Sequence, residues 1–322
     1  MMSMKQIFNN IFLSAVALVF AATIASAQAG ALKMPNASQK ASVTQTIGVT
    51  DVTINYFRPG VKGRKVWGDA TAELNAKGEA TLDNGNTRAA DAPMVPYGHV
   101  WRTGANDATQ FIITDDVMIN GQPLAAGAYS LHTIPGKTEW TVVFNSVANQ
   151  WGSFSYDAKK DTLRVKAKPQ SSPHSQEWLL FTIDPVTENS ATVNILWEKI
   201  WVPFTISVDV PAATLKNAKA VLASAKSDDW RTPFRAAQYA SQNKQNDVAS
   251  AWFEQALKAA DESIKAKETF GNLSGKANIL FAMGRRESGL AVADAAIARG
   301  KADKADTASF EKRIADIRAG KN

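Results

Sequence analysis

From Ser42 the apolar positions recur with a period of two. Val43, Ile47 and Val49 share one face, Thr50-Asp51 interrupts the phase, and Val52, Ile54 and Tyr56 resume it. Two strands joined by a tight turn or bulge are expected there. The clearest alternation runs from Gln110 to Phe144. Phe111/Ile113 and Val117/Ile119 precede Asn120-Gly121, a pair suited to a two-residue hairpin because both positions tolerate positive φ. Tyr129/Leu131 then leads through Ile134-Pro135-Gly136 to Trp140, Val142 and Phe144. Further strands are expected at 154–156, 163–165, 178–183, 193–197 and 204–208. Closely spaced strands without helical stretches between them predict an all-β sandwich, jelly-roll-like, over residues 42–210.

After Pro211 the period becomes 3.6. Leu215, Ala218 and Leu222 share a face, and Trp230, Phe234 and Ala237 open a second helix. Stripes follow through Ala249–Ile264, Leu273–Met283, Leu290–Ile297 and Phe310–Ile317, with Gly284 placed as a helix stop. Residues 251–257 and 291–297 look related at an offset of forty. An all-α domain of helical-hairpin repeats is therefore expected over 211–322. It is similar to tetratricopeptide repeats without carrying that family's full motif.

Two segments fall outside these rhythms. Lys5, the uncharged run Ile11–Ile24 and Ala25-Ser26-Ala27 read as a signal peptide over 1–27. As a helix that run spans about 21 Å, short of the roughly 30 Å of a bilayer core. No later stretch is long and apolar enough to span a membrane, so no transmembrane segment is expected after cleavage. Residues 28–41 read as a flexible lead-in. Residues 69–93, rich in Ala, Asp, Asn and Gly, read as an inserted mobile loop, a short amphipathic helix being the alternative. Asp83-Asn84-Gly85-Asn86 within it reads as a turn and lacks the spacing of a calcium loop.

Composition narrows the picture. The chain has no cysteine, which excludes a disulfide-stapled exported domain. Its net charge of +6 is scattered without a Lys/Arg block, so nucleic acid is not an expected partner. Seven of the nine tryptophans lie between Trp67 and Trp201, which suits a thick aromatic core in the β region. A periplasmic or secreted location follows from the leader.

The stretch 97–107 is the strongest candidate for binding chemistry. Arg102 offers a planar fork for a carboxylate, phosphate or sugar hydroxyl, Tyr97 and Trp101 offer apolar faces, and Asn106 can orient a polar group. Arg58, Lys62 and Arg64 on a second basic turn can converge with it. His99 and His132 complete the candidate set, His132 as a general base. The bland alternative is that Trp101 is core and Arg102 pairs internally. No two of the three histidines sit at metal-ligand spacing, and Gly-x-Ser-x-Gly, Walker and Gly-x-Gly-x-x-Gly signatures are missing, so neither metal nor cofactor is expected.

Several stretches carry a resemblance to a known family. They are residues 58–64 (RPGVKGR), 95–106 (VPYGHVWRTGAN), 126–131 (AGAYSL), Phe144-Asn145 with Gln150-Trp151-Gly152, and 196–199 (LWEK). Over residues 32–209 the chain resembles domain of unknown function 2911, whose members commonly carry a signal peptide and sometimes a repeat-like helical tail. Asp107 stands where that family usually has Glu. The resemblance implies the architecture rather than an activity. The expected function is a non-catalytic binding or scaffold protein of the bacterial envelope. Its β domain would take a small molecule or glycan, and its tail would dock a protein partner. A hydrolase of glycans or peptides around Arg102 and Asn106 is the alternative.

Overall fold

Alternation drives the first half of the chain into strands. In β2 (Thr50–Arg58), Val52, Ile54 and Tyr56 are buried while Asp51, Thr53 and Asn55 point outward. The computed structural model describes residues 34–71, 81–83 and 91–321. The signal-peptide expectation and most of the 69–93 insertion, including the Asn84–Asn86 part of its turn, lie outside those residues.

The strands are β1 (Gln39–Ile47), β2, β3 (Trp67–Gly68), β4 (Val95–Pro96), β5 (Thr109–Ile113), β6 (Val117–Ile119), β7 (Gln122–Leu124), β8 (Gly127–Ile134), β9 (Trp140–Asn145), β10 (Asp161–Ala167), β11 (Gln170–Val186) and β12 (Ser190–Ser207). A six-stranded sheet has the order β1-β2-β5-β8-β9-β10, a four-stranded sheet the order β11-β12-β6-β7, and β3 pairs with β4 in parallel. The β6–β7 hairpin turns on Asn120 and Gly121, both at positive φ (46° and 79°), as their sequence predicts.

Side chains of both larger sheets enter one hydrophobic core. Phe204 of β12 lies 6.0 Å from Phe144 of β9 and 6.4 Å from Phe111 of β5, and Tyr56 of β2 meets Phe181 of β11 at 4.8 Å. At one end Trp67 contacts Trp101, Trp140 and Trp197 at 5.7, 5.0 and 5.6 Å, and Trp101 stacks on Trp197 at 5.6 Å. These edge-to-face and stacked contacts add to the area they bury.

Two local expectations fail. Residues 154–156 form no strand: Gly152 turns the chain at φ 62°, and Phe154 is left half exposed. Residues 193–197 and 204–208 do not make two strands, because β12 runs on through residues 190–207. Its alternation breaks at Glu198, which adopts φ 54° where the β11–β12 register shifts.

Six helices follow among the described residues: α1 (Val210–Ala223), α2 (Arg231–Gln242), α3 (Asn246–Ala266), α4 (Phe270–Ala282), α5 (Arg286–Ala302) and α6 (Ala308–Arg318). Asp209 caps α1 by accepting from the Ala212 N–H at 3.0 Å, and Pro211 sits in the first turn, where its missing N–H costs nothing. Ala213 of α1 belongs to the β core, whereas Leu215 packs on the helical cluster built around Phe253 and Ile279. The α2–α3 and α4–α5 turns recur forty residues apart. Each closes with the same bond pair: Lys244 to Ser241 and Gln245 to Ala240 in one, Gly284 to Phe281 and Arg285 to Leu280 in the other. No described helix is long and apolar enough to cross a membrane.

Candidate functional site

The outward face of the six-stranded sheet carries a row of polar side chains at matched register. Asn55 of β2 stands opposite Gln110 of β5, which stands opposite Ser130 of β8, then Asn145 of β9 and Asp161 of β10. Each is the outward neighbour of a core residue, and together they cross five strands. Asn55 donates to Gln110 at 3.3 Å, and Asn145 donates to Asp161 at 2.8 Å.

Half of this row is open. Over β1, β2 and β5 lies a groove of about 390 Å³ with Lys40, Asn55, Phe57 and Gln110 in its floor. Its rim is Asp107, Asn149, Gln150 and Trp151, with Asp107 and Trp151 joined by an antiparallel bridge. Trp151 is 61% exposed. Gln110 also donates to Asn149, and the Ala108 N–H donates to the Gln150 carbonyl at 3.0 Å, so floor and rim are linked.

The other half is roofed by the 146–157 loop. Gln150 reaches down to Ser130 at 2.9 Å. The Ser153 N–H and hydroxyl both donate to Asp83 at 2.6 Å, and Asp83 pairs with Arg102 at 3.3 Å. Tyr156 and Arg164 donate to Asp161 at 2.7 and 2.8 Å. Burial and the bond to Asp161 push the Tyr156 phenol well above its ordinary pKa. Under this roof His132 is fully buried against the Tyr156 ring at 4.9 Å, and among the described residues neither ring nitrogen makes a well-formed hydrogen bond. Burial pushes its pKa down to about 4, against the opposing pull of Asp161, the Ser130 backbone and Asp83.

The residues singled out from sequence fall in three places. Arg102, Asn106 and His132 gather around the 146–157 loop: Arg102 donates to the Asn106 carbonyl at 3.4 Å, which also takes the Gly152 N–H at 2.9 Å, and its charge is felt at His132. Arg58, Lys62 and Arg64 sit on the turn that docks against β11. Arg58 donates to the Leu179 carbonyl at 2.8 Å, Arg64 to the Gly60 carbonyl at 2.6 Å, and the Lys62 ammonium lies 5.4 Å from the Trp178 ring. Trp101 is core, with its indole N–H on the Gly104 carbonyl at 3.1 Å, and His99 is buried near it in the chain. Tyr97 is half-buried, and its phenol pKa is raised by burial and by Asp69 and Glu198, with Lys137 opposing.

Sequence reasoning missed the polar row and the groove. The available signal was that Asn55, Gln110, Ser130 and Asn145 each flank a buried residue in a strand. Their shared register, however, depends on strand order, which local pattern does not encode.

A β-rich region with a polar groove on one sheet face, followed by a helical region, defines the class of protein. The chain belongs to the family described as Protein of unknown function (DUF2911), whose model matches residues 38–206, from the start of β1 to the end of β12. No curated protein and no solved structure matches the chain.

Proposed function

We propose that the chain is an exported, non-catalytic binding protein of the bacterial envelope, periplasmic or secreted. In this reading its two sheets form a sandwich that takes a neutral glycan in the outer groove. The observation that carries the reading is the composition of that groove: carboxamides from Asn55, Gln110 and Asn149 beside the exposed indole of Trp151. Sugar rings present apolar C–H faces and a fringe of hydroxyls. An indole stacks on the former, and carboxamides, which donate and accept, pair with the latter. The volume fits one or two sugar rings. The groove's lining carries one cation, Lys40, and one anion, Asp107, which suits a ligand without net charge.

A hydrolase centred on Arg102 and Asn106 is the weaker reading. The Arg102 fork is turned on Asp83 and on the Asn106 carbonyl, a positioning use of the guanidinium. The forty-residue recurrence in the helices supports a tetratricopeptide-like tail. A cleft of about 270 Å³ beside Phe253, Met283 and Arg285 is where that tail would take a protein partner.

Affinity electrophoresis and calorimetry with soluble neutral polysaccharides and with peptidoglycan fragments test the groove. At least one should bind, and Trp151→Ala should weaken it tenfold or more, about 1.4 kcal/mol. Unchanged affinity in Trp151→Ala and Gln110→Ala alike would refute the site.

A further inference from the structure

The outer face of β8 and β9 under the 146–157 loop mixes Ser130, His132 and Asn145 with Ile134 and Val143, and the cover is held mainly by hydrogen bonds. Ser153 on Asp83, Gln150 on Ser130, Gly152 on the Asn106 carbonyl and Tyr156 on Asp161 tie it down. Its apolar anchorage is small: Tyr156 against Val100, Ile134 and Val143. Segments held this way open locally at much lower cost than the core. The loop also supplies Asn149, Gln150 and Trp151, one whole wall of the groove.

Beneath it lies a buried polar group that the groove does not use. Among the described residues neither His132 nitrogen makes a well-formed hydrogen bond, although the Ser130 backbone pulls on the ring, and the Gln150 carboxamide oxygen is likewise buried and unpaired. Orphaned buried polar atoms are costly and rare, so three within one small roof mark a closed state that is only conditionally favourable. The charged and titratable groups facing His132 are Asp161 and Arg164 from β10, Tyr156 from the loop, and the Asp83–Arg102 pair. Asp161 is already engaged by Tyr156, Arg164 and Asn145, and Asp83 by Ser153 and Arg102. An imidazolium formed in place would therefore find both anions committed and would gain water only if the loop lifted.

We propose that the 146–157 loop is an acid-released wall of the groove, latched by the neutral His132 imidazole, so that protonation lifts the loop and discharges the bound ligand. The discharge step rests on the groove reading above. The opening step does not, and the experiment separates them. Once the loop lifts, Ser130, Asn145 and Asp161 become continuous with Asn55 and Gln110, and the indole that stacks on the ligand departs.

Hydrogen exchange of the full chain without ligand, corrected for intrinsic pH dependence, reads the opening directly. With His132 near 4 when closed and at its ordinary 6.5 when open, the open fraction rises about 20-fold between neutral pH and pH 5, and about 120-fold by pH 4. The amides of Ser146, Gly152, Ser153 and Tyr156 should show this rise, those of Phe111 and Phe144 should not, and His132→Leu should abolish it. Flat loop protection in the wild type, or the same rise in His132→Leu, overturns the latch. If His132→Leu does not fold, the imidazole titration of the wild type decides: the chain has three histidines, and a His132 resonance titrating near 6.5 overturns the proposal. Loop opening with no loss of a polysaccharide bound at pH 7 would leave the groove reading standing and refute discharge. Opening in a protein that binds no tested glycan at pH 7 would support the latch and count against the groove reading.

Discussion

Replacing Gly275 by alanine should destabilise the helical region, although alanine is the better helix former. Gly275 lies inside α4, where exchange for alanine ordinarily gains about 1 kcal/mol. Here a Cβ would stand 2.3, 2.5 and 2.6 Å from three carbons of the Trp230 ring. Carbon pairs settle near 3.5–4.0 Å, so one partner must shift by more than an ångström. Trp230 has little freedom to do so: it packs on the cluster around Phe253 and Ile279, and the Arg231 guanidinium lies 4.5 Å over its ring. With a shift this large the overpacking cost falls at the upper end of the usual range, about 3 kcal/mol, so after the helix gain the net loss should be about 2 kcal/mol. Denaturant titration followed by far-ultraviolet circular dichroism measures it as a lowered midpoint at constant slope. The decisive comparison is Trp230→Ala, in which Gly275→Ala should become neutral or stabilising. A Gly275→Ala protein as stable as the parent, or equally weakened with and without Trp230, would refute the argument.

Other outcomes follow from the same geometry. His132, held near pKa 4 when folded and titrating near 6.5 when unfolded, contributes stability that is complete above pH 6.5 and is lost as pH falls toward 4, by about 3 kcal/mol in all; denaturation midpoints across that window should flatten in His132→Leu. Lys244 and Lys304 close α2 and α5 at positive φ (60° and 55°), so Lys244→Gly and Lys304→Gly should each raise stability by a few tenths to about 1 kcal/mol in thermal melts. Thr269 forms a reciprocal capping box with Asn272, and Thr269→Ala should cost about 1 kcal/mol by chemical denaturation. Arg102→Ala removes the Asp83 ion pair, leaving Ser153 as its remaining partner among the described residues, and should loosen the 146–157 loop in hydrogen exchange at neutral pH without altering exchange in β5.

How far the sequence carries the fold depends on the range of the interactions. The Asn120-Gly121 hairpin, the Pro211 start of α1 and the Gly284 stop are decided within a few residues, and each appears where its local chemistry places it. The strand expected at 154–156 fails because one apolar pair was read as alternation, whereas Gly152 and the pull of Asp83 on Ser153 make a turn. The continuity of β12 through Glu198 was hidden by a bulge that shifts the phase of side chains without ending the strand. Around the site, Arg102 and His132 stood out by residue type, yet the carboxylates whose charge acts on them, Asp83 and Asp161, are 19 and 29 residues away along the chain. The groove itself draws on β1, β2, β5 and the 146–157 loop, and so on a strand order that no local rhythm contains.

The four contacting indoles of Trp67, Trp101, Trp140 and Trp197 have an optical consequence. Transition dipoles this close share their excitation, so the far-ultraviolet circular dichroism of the β region should carry an exciton couplet from the strong indole transition, set by the fixed angles between the rings. That couplet reports whether the tryptophan end of the core is intact, while the emission of the solvated Trp151 reports the groove wall. One sample can thus show the rim moving while the interior stays in place.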